Sequence, residues 1–466
     1  MPKFKLFLAL ASGFWLTLCP ATAHASSEGD SIPAAAPDPQ IVAALKAVSP
    51  QRIQQTIEKL VSFHSRHTLS SDVPAATGKG INAAAEWIGS EFESYSKACG
   101  GCLEIKTDEF TQEPGTRIPK PTKLTNVYAI LHGSDAANAS RIFLVTGHYD
   151  SRNTETNDAV GASPGANDDG SGTAVSLECA RVLSKYKFPA TIIFLTVAGE
   201  EQGLYGSAHF AKMAKAQNWN IEAVLNNDIV GGDRTPGSTT QDPHTVRVFS
   251  EGIPATATEA ELKLIRALGG ENAGASRQLA RYIAGISKEY LPAKEFHPLV
   301  VFRKDRYLRG GDHTSFNEQG FAAVRFTEYR ENYDHQHQNV RTENGVEYGD
   351  LPKFVDFDYA ANVARVNAAT LASLASAPAP PAKVRVLTKG LQNDSTLVWE
   401  ASPGGMATGY LVLWRDTGAP DWEHAQAFGN VTQATMPVSK DNVVFAVQTT
   451  DAKGHRSLPV VPAPER

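Results

Sequence analysis

Five stretches of this 466-residue chain hold side chains able to bind a cation or move a proton, and most of them end an apolar run. RIFLVTG leads into His148-Tyr149-Asp150. The loop PGANDDGSG sets Asp168 and Asp169 directly before a helical pattern. ATIIFLTVAG ends in the adjacent pair Glu200-Glu201, and IEAVLNN ends in Asp228. FAAVRFTE precedes a loop that holds His335 and His337. Carboxylates gathered together raise one another's pKa values, and bound cations remove the conflict. Imidazole nitrogen and carboxylate oxygen are ligands that zinc accepts, and there are enough of them here for two ions. Carboxylate-bridged ions in such sites stand roughly 3.5–4 Å apart.

The elements that must position these groups are legible as periodicity. IVAALKAV, IQQTIEKLVSF and INAAAEWIGSEF have helical spacing, and so do TAVSLECARVLSKY and SAHFAKMAKAQ. Between and after them lie the short apolar runs LEIKTDEF, NVYAIL, RIFLVTG, ATIIFLTVAG, IEAVLNNDIVG and FAAVRFTE. Strands alternating with helices predict an α/β domain, with a mixed and mostly parallel sheet flanked by helices, over residues 41–376. In open sheets of this kind ligands bind beyond the carboxyl ends of the strands, so one sheet edge should collect these groups. Residues 26–40 are rich in Ala, Pro and Ser and read as a flexible segment, and 377–382 read as a Pro-rich linker. Beyond it, short strands without helices predict a small all-β sandwich over 383–466. The linker implies that this unit folds independently.

HxD, NDDGSG, GEEQGLYGS, NxD and a late histidine, in this order over about Gln54–Leu351, resemble the co-catalytic zinc aminopeptidases, family 28 of the metallopeptidases. The resemblance implies two zinc ions bridged by Asp168. Glu201 and a late histidine would complete one site, and His148 and Asp228 the other. Glu200 would be the general base, and Asp150 would orient His148 through its second ring nitrogen. Asp312 and His313, in a DHxxF run, would line the substrate pocket or back the ligands. The late histidine departs from the family pattern: YDHQHQNVR offers His335 and His337, with Arg341 where the family often has Asp. An extended loop would point the two in opposite directions, and His337 is the expected ligand. The runs VWE, GYLVLWR and FAVQTTDAKG resemble a fibronectin type III module, a unit suited to binding a surface or a large substrate. Other exopeptidases on the scaffold (carboxypeptidase or dipeptidase), a single-zinc glutaminyl cyclase and a non-catalytic binding protein are the alternatives.

Composition agrees with a soluble globular chain: 42% hydrophobic, 20% charged and a formal charge of −6, with no long basic block to favour nucleic acid. Residues 1–25 read as a secretory signal peptide, with Lys3 and Lys5 before an apolar stretch and Ala23-His24-Ala25 at the cleavage position. The expected location is secreted or periplasmic, with peptides or proteins as substrates and no membrane span. An oxidising compartment permits Cys99-Gly-Gly-Cys102 to close a small disulfide loop, while Cys179, in an apolar helical pattern, reads as a buried thiol.

Overall fold

The computed structural model describes Ile32 and residues 35–466; the signal-peptide reading lies outside the described residues. The chain opens with three helices, α1 (Pro39–Lys46), α2 (Pro50–Val61) and α3 (Gly80–Ala98). Strands β1 (Leu103–Gln112), β2 (Thr122–Leu131) and β3 (Arg141–His148) lead to α4 (Gly170–Leu183) and β4 (Thr191–Val197). Helices α5 (Glu200–Gly203) and α6 (Tyr205–Ala216) precede β5 (Asn220–Asn227) and β6 (Thr245–Ser250). After α7 (Glu259–Leu268) and α8 (Ala275–Tyr290) come β7 (His297–Val301), α9 (His313–Asn317) and β8 (Ala323–Glu328). A short hairpin, β9 (Arg341–Glu343) and β10 (Val346–Tyr348), and the long α10 (Phe357–Ser376) complete this part.

The eight strands β1 to β8 form one mixed sheet in the order β1-β2-β4-β3-β5-β8-β6-β7. Its centre, β4-β3-β5-β8, is parallel, while β1, β2 and the β8–β6 pair run antiparallel. Both faces of the central strands are covered, which is why their sequences read as unbroken apolar runs rather than alternating ones. Phe143 and Val145 of β3 and Ile192 and Phe194 of β4 point into a core shared with α2, α3, α4, α8 and α10. The intervening Leu144, Ile193, Leu195 and Val197 pack on the opposite face against Phe210 and Ala211 of α6 and Phe316 of α9. All six expected strands are present. Two more, β6 and β7, lie in the segment Thr235–Leu308 that carried no strand expectation.

The last 85 residues form strands β11 (Ala382–Leu387), β12 (Ser395–Glu400), β13 (Gly409–Asp416), β14 (His424–Phe428), β15 (Gln433–Met436), β16 (Val443–Thr450) and β17 (Ala463–Glu465). They make sheets of four and three strands. Val384, Leu397 and Trp399 of one sheet meet Tyr410, Val412, Trp414 and Phe445 of the other in a common core. The Pro-rich stretch before them is packed, not free: Ala377, Pro378, Ala379 and Pro381 are buried. Arg141 donates to the Ala377 carbonyl at 2.8 Å, and Arg281 and Tyr282 of α8 donate to the carbonyls of Pro420 (2.6 Å) and Arg456 (3.0 Å). The expected flexible segment is ordered over its last residues. Asp38 caps α1 through the Gln40 amide at 2.7 Å, and Pro39 begins the helix because its missing N–H is not needed there.

The same Asp38 ties the N-terminal helix to the sandwich. His455 Nε2 lies 3.1 Å from its carboxylate, while Nδ1 lies 2.8 Å from Asp451. Burial opposes the charge on His455, but Asp451 and Asp38 outweigh it and raise its pKa. A raised histidine contributes stability below its unfolded value of about 6.5, and loses that contribution as pH rises through the folded value. His455→Gln should therefore lower the calorimetric melting temperature more at pH 6 than at pH 9. Equal losses at the two values would show that the ion pair contributes nothing.

Candidate metal centre

The parallel strands deliver the acidic and imidazole groups to one edge of the sheet. His148 is the last residue of β3, Asp228 follows the end of β5, and Glu200 and Glu201 begin α5 just beyond β4. Asp168 enters from the side, two residues before α4. Small residues let the helix approach. A Cβ on Gly172 would lie 2.1 Å from the Asn227 carbonyl oxygen, and one on Gly147 would lie 2.4 Å from the Gly172 carbonyl carbon. Gly199, with φ +78°, supplies the left-handed turn that ends the strand run and starts α5.

Two clusters result, His148 with Glu200 and Asp228, and Asp168 with Glu201 and His337; within each, the potential ligand atoms lie within 4.8 Å of one another. Asp168 joins them. Its Oδ1 is 3.2 Å from His148 Nε2, and its Oδ2 is 2.8 Å from His337 Nε2. His337 Nε2 is also 2.9 Å from Glu201 Oε1. His148 Nε2 stands 3.9 Å from both Glu200 Oε2 and Asp228 Oδ1. His148 Nε2, His337 Nε2 and Glu201 Oε1 are buried, and apart from these close approaches within the clusters they have no hydrogen-bond partner. Buried polar atoms ordinarily have partners, and a nitrogen and oxygen set aimed inward at this spacing fits zinc.

The electrostatics describe the same need for positive charge. Burial works against a charged His337, yet Glu201 and Asp168 outweigh it and push its pKa up to about 10. His148 is likewise raised, with burial overcome by Glu200, Asp150 and Asp168. Burial holds the Glu200 carboxyl well above its ordinary value against the pull of His148, with Asp228 and Glu201 adding to the rise. Cations at the two clusters would replace the protons on the imidazoles and favour ionised carboxylates.

Three further acids hold the cluster residues through the main chain. Asp150 accepts the amides of Glu200 and Glu201, each at 3.2 Å, and the Thr68 hydroxyl at 2.9 Å. His148 Nδ1 is nearer the Asp150 carbonyl oxygen (3.1 Å) than its carboxylate (3.4 Å), so the side chain chiefly fixes the glutamate pair and only secondarily the imidazole. Asp169 caps α4 through the Gly172 amide at 2.9 Å and also accepts the amides of His148 (3.0 Å) and Ile229 (3.2 Å). Asp350 was not anticipated from sequence. It accepts the amides of Asn167 (2.8 Å) and Asp168 (2.7 Å), and Gln336 donates to Asp168 Oδ2 at 3.0 Å.

The loop with the two histidines is a turn, not extended chain, and His337 adopts φ +56°. This turn aims His337 at Asp168. His335 faces away, stacked on Phe354 at 3.7 Å and 3.6 Å from Asp233. Asp312 and His313 are fully buried behind the centre and line no part of the open cavity beside it. His313 Nε2 contacts the Lys304 carbonyl oxygen at 2.9 Å, and burial pushes its pKa down to about 4. Burial, with Asp228 and Asp150 adding to it, lifts Asp312 to about 7 despite His148.

The model of peptidase family M28 matches residues 126–347, which contain every group in the two clusters. A probable zinc metalloprotease of Pyrenophora teres f. teres is 44% identical over 92% of this chain and 88% of its own length. Another, from Pyricularia oryzae, is 43% identical over 94% of this chain and 87% of its own. This chain belongs to peptidase family M28. Its fold is similar to that of Legionella pneumophila LapA, at 24% identity and a TM-score of 0.51 over 72% of this chain and 76% of that one. Within this M28 chain the turn geometry separates the two late histidines. His337→Ala should lower zinc content by about one ion per chain, while His335→Ala should keep the wild-type content, as read by elemental analysis of the purified variants. The reverse pattern would reassign the ligand.

Proposed function

We propose that this M28 chain is an exported di-zinc exopeptidase, an aminopeptidase that releases N-terminal residues from peptides. The supporting observation is Asp168, whose two oxygens face histidines of different clusters. Two zinc ions, when bound, would polarise a peptide carbonyl and make water a nucleophile at neutral pH. His148, Asp228 and Asp168 would hold one, and His337, Glu201 and Asp168 the other. Glu200 takes the proton from the attacking water and passes it to the leaving amine. Asp150, by binding both glutamate amides, keeps one carboxylate for ligation and its neighbour for proton transfer. Glu200 lines a cavity of about 280 Å³ that opens beside the clusters and gives a peptide end access.

Export is supported by the N-terminal leader pattern and by the Cys99–Cys102 disulfide, a bond that oxidising compartments preserve. No helix among the described residues is long and apolar enough to cross a membrane. The two facing sheets of the C-terminal part support a fibronectin type III-like module. Chelation should abolish peptide hydrolysis, and zinc should restore it. Glu200→Gln should keep both ions and lower kcat by about 10²–10⁴-fold, whereas Glu201→Gln should also lose metal. Free-amine peptides should be cleaved and their N-acetylated forms spared; cleavage of both alike would remove the aminopeptidase assignment.

A further inference from the structure

The walls of the cavity beside the clusters are built from arginine: Arg117, Arg152, Arg306, Arg309 and Arg325 all line it. The carboxylates on the same surface, Asp168, Glu200, Glu201 and Asp228, belong to the metal centre and its base. Behind the wall the pairing is short of negative charge. Glu331, with a side chain only 2% exposed, serves Arg247 (3.1 Å), Arg306 (2.7 Å) and Arg309 (2.9 Å). Asp305, equally buried, serves Arg306 (3.0 Å) and Arg325 (3.2 Å). Burial opposes the ionisation of both acids, but the guanidinium groups keep each below its ordinary pKa. Two ionised carboxylates thus anchor four arginines, and Arg325 reaches a third only at Asp228, 2.8 Å away. Arg152 shares Glu201, a residue of the metal cluster. Arg117 donates to the Glu201 carbonyl at 2.9 Å, and among the described residues no carboxylate lies within ion-pair distance of it.

This arrangement is more than a solvated charged face. The anchors of Arg306, Arg309 and Arg325 are buried, so these guanidinium groups are held in place before any ligand arrives, which reduces the ordering cost of binding. Fixed planar donors suit a carboxylate, which can accept two parallel bonds from one arginine. Dications at the floor would neutralise the acids there and leave the walls positive. We propose that the cavity recognises a substrate carboxylate next to the scissile bond, with Arg309 and Arg117 as the binding groups. This rests on the exopeptidase reading above and adds the substrate class. The carboxylate can come from an acidic side chain, as in an N-terminal glutamyl residue, or from the free C-terminus of a very short peptide.

Two matched substrate pairs separate these sources. One is glutamyl against glutaminyl p-nitroanilide; the other is Leu-Leu against its C-terminal amide. The zinc-loaded full-length enzyme should favour the charged member of one pair by about tenfold in kcat/KM, mainly through KM, and added salt should shrink the preference. The pair that shows it identifies the source. Arg309→Ala and Arg117→Ala are changes at exposed positions, and each should reduce the charged-to-neutral ratio at least about threefold while the melting temperature stays near that of the parent. Equal or better cleavage of the neutral member in both pairs overturns the proposal. If no member of either pair is hydrolysed, the exopeptidase reading fails instead. Calorimetric titration then decides carboxylate recognition alone: tighter binding of glutamate than glutamine, lost in Arg309→Ala, supports it, and equal binding overturns it.

Discussion

The structure depends on holding mutually repelling acids together at low solvent exposure. Asp168, Glu201 and Asp228 are buried, and Glu200 is nearly so, around two imidazoles at the ends of parallel strands. Left to themselves, such groups would separate or take up protons. The chain prevents separation by fixing the backbone beneath them. Asp150, Asp169 and Asp350 use their oxygens on the main-chain amides of the cluster residues and their neighbours. A hydrogen bond contributes a net of roughly 0.5–1.5 kcal/mol, and several together can oppose the repulsion. Charge balance then falls to the imidazoles, to Arg325 on Asp228 and to Arg152 on Glu201, and cations would complete it.

The same constraint explains the shape of the surrounding elements. α4 must approach β3 and β5 closely enough for Asp168 to reach both clusters, and Gly147 and Gly172 leave the space. The parallel strands must end together so that His148, Glu200 and Asp228 converge, which requires both sheet faces to be filled by helices. The C-terminal sheets stand apart from this requirement. They lean on α8 and on the first helix through Arg281, Tyr282 and the Asp38–His455–Asp451 group, so their link to the rest is an interface rather than a tether.

What the sequence determined by itself was local. Unbroken apolar runs specified the central strands, helical spacing specified α1 to α4 and α6, and the acidic and imidazole residues stood at the ends of those runs. The candidate ligands were visible for that reason. The tertiary structure decided what depends on residues far apart in the chain. Asp350 reaches the Asp168 amide across 182 positions, and nothing near it in sequence marks that contact. That His337 rather than His335 faces Asp168 follows from a turn with φ +56°, not from an extended loop. Strands β6 and β7 are short; β6 joins the sheet by pairing with β8, and β7 pairs with β6 at the edge. The arginine wall gathers side chains from separated loops and a strand, each unremarked in its own local context. Backbone periodicity reports which face of an element is buried; it holds no record of which distant charge will lie against it.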